Sequence, residues 1–456
     1  MIKNRVAIVG GGPGGLALAR TLAGQDIDFT LFEAGPALSN RRHNRAEDLG
    51  TGIGGAGLFS DGKFSFFPSG THLYRLDRKD RLENAFTDIE TLLREVGIPI
   101  PTREFLSPLN GGAVSDCMHS KVYPSSYGSL EQREILTARM IQGFEYKIRT
   151  ETRVSKIEMC QAGYRISFET PSARQQQENF NAVVLATGRF GPSEFPGLMG
   201  NQISTTEQRY EFGIRIEHKN GVGFLSRVKR PDVKLILNTA GCEVRTFCTC
   251  RDGEVWRIPY GKAAALSGRS DGPPSGYSNF GLLARFTDDR LERGRDIWAT
   301  LQSSIDQDTP ALWQPLSEFL KQVTASKLND QTNGSRPWFP KEKFMRGDIA
   351  NQLPPELYRI LCEGIRVLVD QFPDIASDDT ICLFPAVEGV GHFPASDATL
   401  ESKRGNIWFC GDIVGRFRGL VPALVSGAYV GRAIGTRFGR AIERLPEFEQ
   451  QSVPAE

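Results

Sequence analysis

The sequence predicts an α/β protein: a parallel-sheet domain, discontinuous in the chain, with an α+β domain inserted into it. Three observations predict this. A short apolar strand near the N-terminus runs into a GxGxxG turn and an Ala/Leu-rich helix. A second strand then ends on an acid, completing a Rossmann-like βαβ unit. Two further apolar strands, around Val183 and Ile407, each end in a glycine-bearing turn, and the last is followed by a helix. The boundaries read as 1–210 and 380–456 for the two parts of the nucleotide domain and 211–379 for the inserted substrate domain.

Val6 to Val9 reads as a buried parallel strand, and Gly10, Gly12 and Gly15 satisfy the glycine spacing, with Pro13 and Gly14 between them. Gly10 permits the tight turn, Gly12 lets the backbone approach a pyrophosphate, and Gly15 lets helix and strand pack closely. The helix from about Leu16 to Leu22 would offer free N–H groups to the phosphates. The strand Phe29 to Phe32 ends at Glu33-Ala34. An acid about 20 residues after the glycine turn accepts ribose hydroxyls and disfavours a 2′-phosphate.

Two distant segments point to FAD and not NAD as the ligand. Asn181 to Gly188 is a strand ending in Ala186-Thr187-Gly188, and Gly405 to Asp412 is a strand ending in Gly411-Asp412. Asp412 can bind a ribityl hydroxyl. The helix opening at Gly419-Leu420, with Ala423 in its first turn, would aim N–H groups at the flavin N1/C2=O edge. A nicotinamide dinucleotide has no need of so distant an aspartate. Together these segments resemble the FAD fingerprint of the glutathione-reductase-like flavoproteins, which implies a discontinuous FAD domain of that type, with Val154 on the strand that meets the adenine.

The segments GTGIGGAGLFSDGK (Gly50 to Lys63) and TFCTCRDGEV (Thr246 to Val255) carry a closer resemblance. With Glu211 to His218 and Ser278 to Phe280, they look like bacterial FAD-dependent dehydrogenases described as NAD(FAD)-utilising. Arg251-Asp252 stands where that pattern has Pro-Gly. The resemblance implies that Gly55, Gly57 and Ser60 lie against the isoalloxazine or pyrophosphate; read from the residues alone, the same stretch is a glycine-rich surface loop with a cap at Ser60 or Asp61. Lys63 reads as a phosphate partner or a solvated charge.

On a regular strand Cys248 and Cys250 share one face. Structural packing, pocket lining and redox or nucleophilic chemistry all stay open for them, since an activated thiolate needs a cationic neighbour and the chain offers only Arg245 and Arg251 close by. His392 has the right ordinary pKa for proton transfer and Glu388 precedes it in a glycine-flanked stretch. Both are candidate catalytic groups, as are Tyr277 and Arg215 more weakly; the alternative for the histidine is a loop residue in solvent or hydrogen-bonded to backbone. No histidine pair has ligand spacing, so no metal is expected.

Elsewhere, helical spacing runs from Asp80 to Glu95, Ser129 to Phe144, Ala311 to Val323 and Pro355 to Phe372. Strands are expected near Val154, Tyr164 to Phe168, Phe212 to Ile216 and Lys234 to Leu237, with a Pro/Gly/Ser-rich loop from Ser267 to Gly281. No second GxGxxG follows a strand in the insert, and no CxxC occurs. A nicotinamide donor, NAD(P)H, would therefore bind only transiently; a partner protein as reductant, and the substrate itself as electron donor with oxygen or another acceptor closing the cycle, stay equally open.

Composition bounds the partners. The 456 residues carry 55 Lys+Arg against 54 Asp+Glu, which argues against a dedicated nucleic-acid binder. Eight sparse cysteines and no signal-peptide pattern point to a reduced, cytoplasmic setting. The apolar stretch Gly419 to Gly431 is too short to span a bilayer. The sequence thus reads as an FAD-dependent oxidoreductase moving a hydride between a small or medium organic substrate and flavin N5. A flavin monooxygenase using NAD(P)H and O2 is the first alternative; a flavoprotein of RNA modification or flavin sensing is the second.

Overall fold

The computed structural model describes residues 4–25, 27–101, 113–260, 263–306, 308–321 and 343–439. Two sheets with separate apolar cores build it. The first is a five-stranded parallel sheet in the spatial order Ile407–Phe409, Ala182–Leu185, Arg5–Val9, Asp28–Phe32, Ile148–Arg149. Strands covered on both faces need continuous apolar runs, and Val6–Val9 and Ala182–Leu185 are buried throughout. The chain crosses from Ile148–Arg149 back to the sheet centre through an antiparallel meander of Arg153–Cys160, Gly163–Thr170 and Ala173–Phe180.

Helix Pro13–Ala23 begins on a proline at its first turn, where the missing N–H costs nothing. It packs against the last helix, Leu420–Phe438. Their closeness is made by glycine: a Cβ on Gly427 would overlap the Gly14 carbonyl oxygen. Helix Lys79–Glu95 buries Leu82, Phe86, Ile89, Leu92 and Leu93 against the same core, as its 3.6-residue spacing requires. Helix Leu130–Ile141 starts at a Ser129–Gln132 capping box.

The second sheet has nine strands and is wider than the predicted insert. Its order is Phe344–Arg346, Ala311–Pro315, Ile381–Gly389, Tyr210–Lys219, Tyr277–Phe286, Glu243–Cys250, Lys234–Asn238, Met118–Lys121, Ala113–Ser115. Strands from before residue 211 and after residue 379 therefore belong to it. Period-two alternation divides its faces. Phe212, Ile214, Ile216, Phe280, Leu282 and Ala284 pack on helix Pro355–Gln371. Glu211, Arg215, Glu217, Asn279 and Arg285 occupy the opposite face.

Two local expectations are corrected. Ala311–Pro315 is a strand, and the helix is only Leu316–Lys321, because pairing with Ile381–Gly389 overrides the helical spacing; residues 322 and 323 lie outside the described ones. The loop read from Ser267 to Gly281 shrinks to the residues between strands Ala263–Arg269 and Tyr277–Phe286. The former strand pairs with Glu254–Tyr260 in a hairpin. Ile258 of this hairpin packs on Leu49, Leu58 and Phe59, tying the second sheet to the glycine-rich helix Gly55–Leu58 of the first domain.

Candidate active site: a dinucleotide cradle beside a polar sheet face

Four segments meet at the C-terminal edge of the parallel sheet, the edge at which such sheets bind ligands. Gly10 adopts φ 110° in the first turn, and a Cβ there would stand 2.5 Å from the Ala186 carbonyl oxygen. A Cβ on Gly15 would overlap the Gly10 oxygen, so Gly15 serves helix–strand contact. Gly12 differs: a Cβ on it would have only the Gly55 Cα near, at 3.9 Å. Gly12 therefore keeps open space in front of the helix N-terminus. Gly14 touches Gly411 and the Ala423 carbonyl, with 3.3 Å to each from its virtual Cβ, and Gly57 faces Pro13 and Leu420. The glycine loop, the Ala186-Thr187-Gly188 turn, the Gly55–Leu58 helix and the Gly411 to Ala423 segment are thus brought together as expected.

Glu33 sits differently from a free ribose acceptor. Its Oε2 accepts from Gly11 N at 2.7 Å, and its Oε1 accepts from Gly35 N and Gly52 N, each at 2.8 Å. The carboxylate fastens three backbone loops, leaving one lone pair on Oε2 for a sugar. Thr152 N donates to the Glu33 carbonyl at 2.8 Å, which sets the segment leading to Val154 beside it. Ala34 is exposed. Arg41, which the sequence reading missed, is buried and donates to the carbonyls of Ile53 and Gly55 at 2.8 and 2.9 Å. Burial lowers its pKa to about 10, with Glu33 and Asp48 opposing that shift.

The residues fit a dinucleotide of FAD length. Asp412 Oδ1 and Thr187 Oγ1 are buried without a hydrogen-bond partner. Gly419, at φ 105°, opens the helix Leu420–Phe438 without a side-chain cap, so its first N–H groups are unclaimed by one. Ser60 instead closes its own turn, donating to the Gly57 carbonyl at 2.9 Å.

The catalytic candidates separate. His392 is exposed, 3.6 Å from the Glu207 carboxylate, on the outside of the short strand His392–Pro394, while its neighbour Phe393 turns inward against Gly415. Period two puts the histidine on the wrong side. Glu388 is held between Arg189 and Arg418, each at 3.0 Å, and so positions Arg418 beside Gly419.

Cys248 and Cys250 do not lie on a regular strand. A bulge intervenes: Phe247 pairs with Gly281 but Cys250 with Asn279, and Cys248 has φ 44°. This left-handed conformation costs a non-glycine residue ~1–2 kcal/mol. Arg215 holds it, donating to the Cys248 carbonyl at 2.6 Å and lying 3.9 Å from the Cys250 sulfur. Cys248 Sγ is 3.7 Å from Asp61, which pairs with Lys63 at 3.1 Å. Lys63 also donates to Thr249 Oγ1 at 3.1 Å, so it is neither a phosphate partner nor a solvated charge. Asp61 and both sulfurs offer ligand-type atoms within 4.8 Å of one another, but Lys63 and Arg215 already supply the positive charge there. The cations came from distant strands, which is why the chain-local reading found only Arg245 and Arg251. Asp252, where the resembled pattern has glycine, adopts φ 47°, and its side chain accepts from Gly276 N at 2.7 Å.

Fold and site together define a dinucleotide-binding protein of Rossmann type. The NAD(P)-binding Rossmann-like domain matches residues 8–75 of the sequence. No curated protein matches it. Among solved structures, the chain is similar to 2,6-dihydroxypyridine-3-hydroxylase from Arthrobacter nicotinovorans, at 10% identity over 97% of this chain and 85% of that one, TM-score 0.41. It is also similar to a flavoprotein/dehydrogenase from Cytophaga hutchinsonii, at 12% identity over 95% and 78%, TM-score 0.41. Among the described residues no helix is long and apolar enough to cross a membrane.

Proposed function

We propose that the protein is an FAD-dependent oxidoreductase. The observation that carries this reading is the contact of Gly14 with Gly411 and Ala423, which joins the first glycine turn to the opening of the last helix. A ligand laid along both runs from the Glu33 loops toward Gly419, the path an extended flavin dinucleotide would take. In this reading the Gly12 space and the Pro13–Ala23 helix N-terminus take the pyrophosphate, and Asp412 accepts from the ribityl chain. The N–H groups opening at Leu420 stabilise negative charge at the ring's N1/C2=O edge.

The flavin supplies the hydride acceptor or donor at N5; the chain binds and orients the reactants. The hairpin strands Glu254–Tyr260 and Ala263–Arg269, packed through Ile258 on the Gly55–Leu58 helix, would shield that side of the cradle from water. The test is equilibrium dialysis of the apo-protein against FAD and NAD, with the absorption spectrum read in parallel. Tight FAD uptake with a perturbed flavin band is expected; preference for NAD with no flavin uptake would reject the proposal. Anaerobic mixing with NADPH and NADH then reads the donor, because bleaching without organic substrate identifies a nicotinamide-driven enzyme such as a monooxygenase.

A further inference from the structure

The inner face of the nine-stranded sheet carries a charge arrangement that folding alone does not explain. Lys121 and Lys234 lie directly opposite each other in antiparallel register. Like charges in that position destabilise a sheet. Neither has a carboxylate partner among the described residues. The nearest acid with a field on both, Asp232, is occupied by Tyr123 at 2.8 Å and Ser65 at 3.1 Å. Arg245, on the next strand and the same face as Lys234, adds a third cation. Its own acids, Glu243 and Glu211, are shared with Arg285, and Glu211 with Arg209 and Arg418 as well. Burial, and then Arg245, press the pKa of both lysines down, as expected for cations that lack a counter-charge of their own.

The stripe points toward the cradle. Lys234 stands over the Phe247 ring at 5.2 Å, and Arg418, the residue before Gly419, stands over the same ring at 5.1 Å. Arg209, Arg245 and Arg418 each keep a buried Nε without a hydrogen-bond partner. Buried donors of this kind are normally satisfied. Lys121 and Lys234 are half-buried and not sealed in the core, which leaves a path for a small solute.

We propose that Lys121, Lys234 and Arg245 form the binding site for the anionic group of an organic substrate, a carboxylate or a phosphoester, whose body lies along Phe247 toward Arg418. That this anion is the substrate rests on the flavoprotein reading; that the site binds an oxyanion does not. An oxyanion bridging the two lysines removes their repulsion and gives Arg245 a charge-assisted partner.

The test uses the full chain with FAD added. Thermal unfolding is followed with succinate, inorganic phosphate or chloride at matched ionic strength, and bound flavin is read by absorbance in the same samples. Wild type should gain a few degrees from one of the oxyanions at ~100 times its Kd, and nothing from chloride. Preference for succinate assigns a carboxylate, and preference for phosphate a phosphoester. The Lys121→Met/Lys234→Met double variant should melt higher than wild type without anion, because repulsion is gone, and should lose the oxyanion response. Lys234→Gln provides the same comparison if the double variant does not fold. A wild-type response no larger than that to chloride, with flavin retained, overturns the site. An oxyanion response that survives in the variants overturns these residues as its seat. An oxyanion response in protein that never takes up flavin overturns the assignment to substrate while leaving the anion site in place.

Discussion

Glu33 and Gly11 are joined by a 2.7 Å hydrogen bond from the glycine N–H to the buried carboxylate, and the same side chain receives two more backbone donors. Each N–H stranded in the interior costs ~1–3 kcal/mol. Glu33→Ala should therefore do more than weaken adenosine binding: it should lower the melting temperature of the apo-protein. Glu33→Gln replaces an acceptor oxygen with an amide donor and should fall between the two. Calorimetry of the ligand-free proteins checks this, and an unchanged transition in Glu33→Ala would confine Glu33 to the ligand.

Two glycines of one motif should fail in opposite ways. Gly15 is pressed on the Gly10 carbonyl, so Gly15→Ala forces helix and strand apart and should give little folded protein. Gly12 has room for a methyl group, and its φ of −75° suits any residue. Gly12→Ala should fold and melt like wild type yet lose dinucleotide affinity by about tenfold or more, since the methyl occupies the approach to the phosphates. Parallel melting and FAD titration of the two variants would reject the division if Gly12→Ala bound FAD normally.

How much of this was legible beforehand follows from what each feature depends on. The glycine turn, its strands and the amphipathic helix Lys79–Glu95 are written in local spacing, and each forms where spacing puts it. The strand Ala311–Pro315 exists because Ile381–Gly389 offers it a ladder, which no local window contains. At the site, Gly411-Asp412 and Gly419 were readable as a motif. The cations around the cysteines were not: Arg215 reaches Cys250, and Lys63 reaches Thr249 between the two cysteines, from strands remote in sequence. A bulge cannot be read from alternation either, and it alone moved Cys248 off the regular pleat.

The cysteine pair should ionise near neutral pH. The Cys250 thiol is brought down from its ordinary value to about 7, first by the Cys248 thiol and, against burial, by Arg215 and Lys63. Cys248 moves the other way, since it keeps the proton that Cys250 gives up. One thiolate for the pair is the physical content, and pH sets its share: protonated below about 7, ionised above. Cys250 is fully buried, so its ionisation is read without a reagent: the ultraviolet thiolate absorbance, taken as the difference between wild type and Cys250→Ser, should rise through about pH 7 and level off. Cys382, equally buried but with its pKa raised by desolvation, should add no thiolate absorbance over that range. Arg215→Gln should move the Cys250 inflection upward. An inflection near 9 in wild type would refute the cationic stabilisation.

Asp412 separates charge from hydrogen bonding. Its carboxylate lies 3.6 Å from Arg418 and 4.0 Å from Arg209, while Oδ1 accepts no hydrogen bond. If Asp412 serves the ribityl chain as an acceptor, Asp412→Asn keeps the oxygen and should retain most FAD affinity. Asp412→Ala removes the acceptor and should lose about tenfold, the worth of one good hydrogen bond. If instead Asp412 acts by holding Arg418, the asparagine and alanine variants should lose affinity alike, because neither carries the charge. Titration of FAD into the two apo-proteins decides between these roles, and equal, undiminished affinity in both would remove Asp412 from the site altogether.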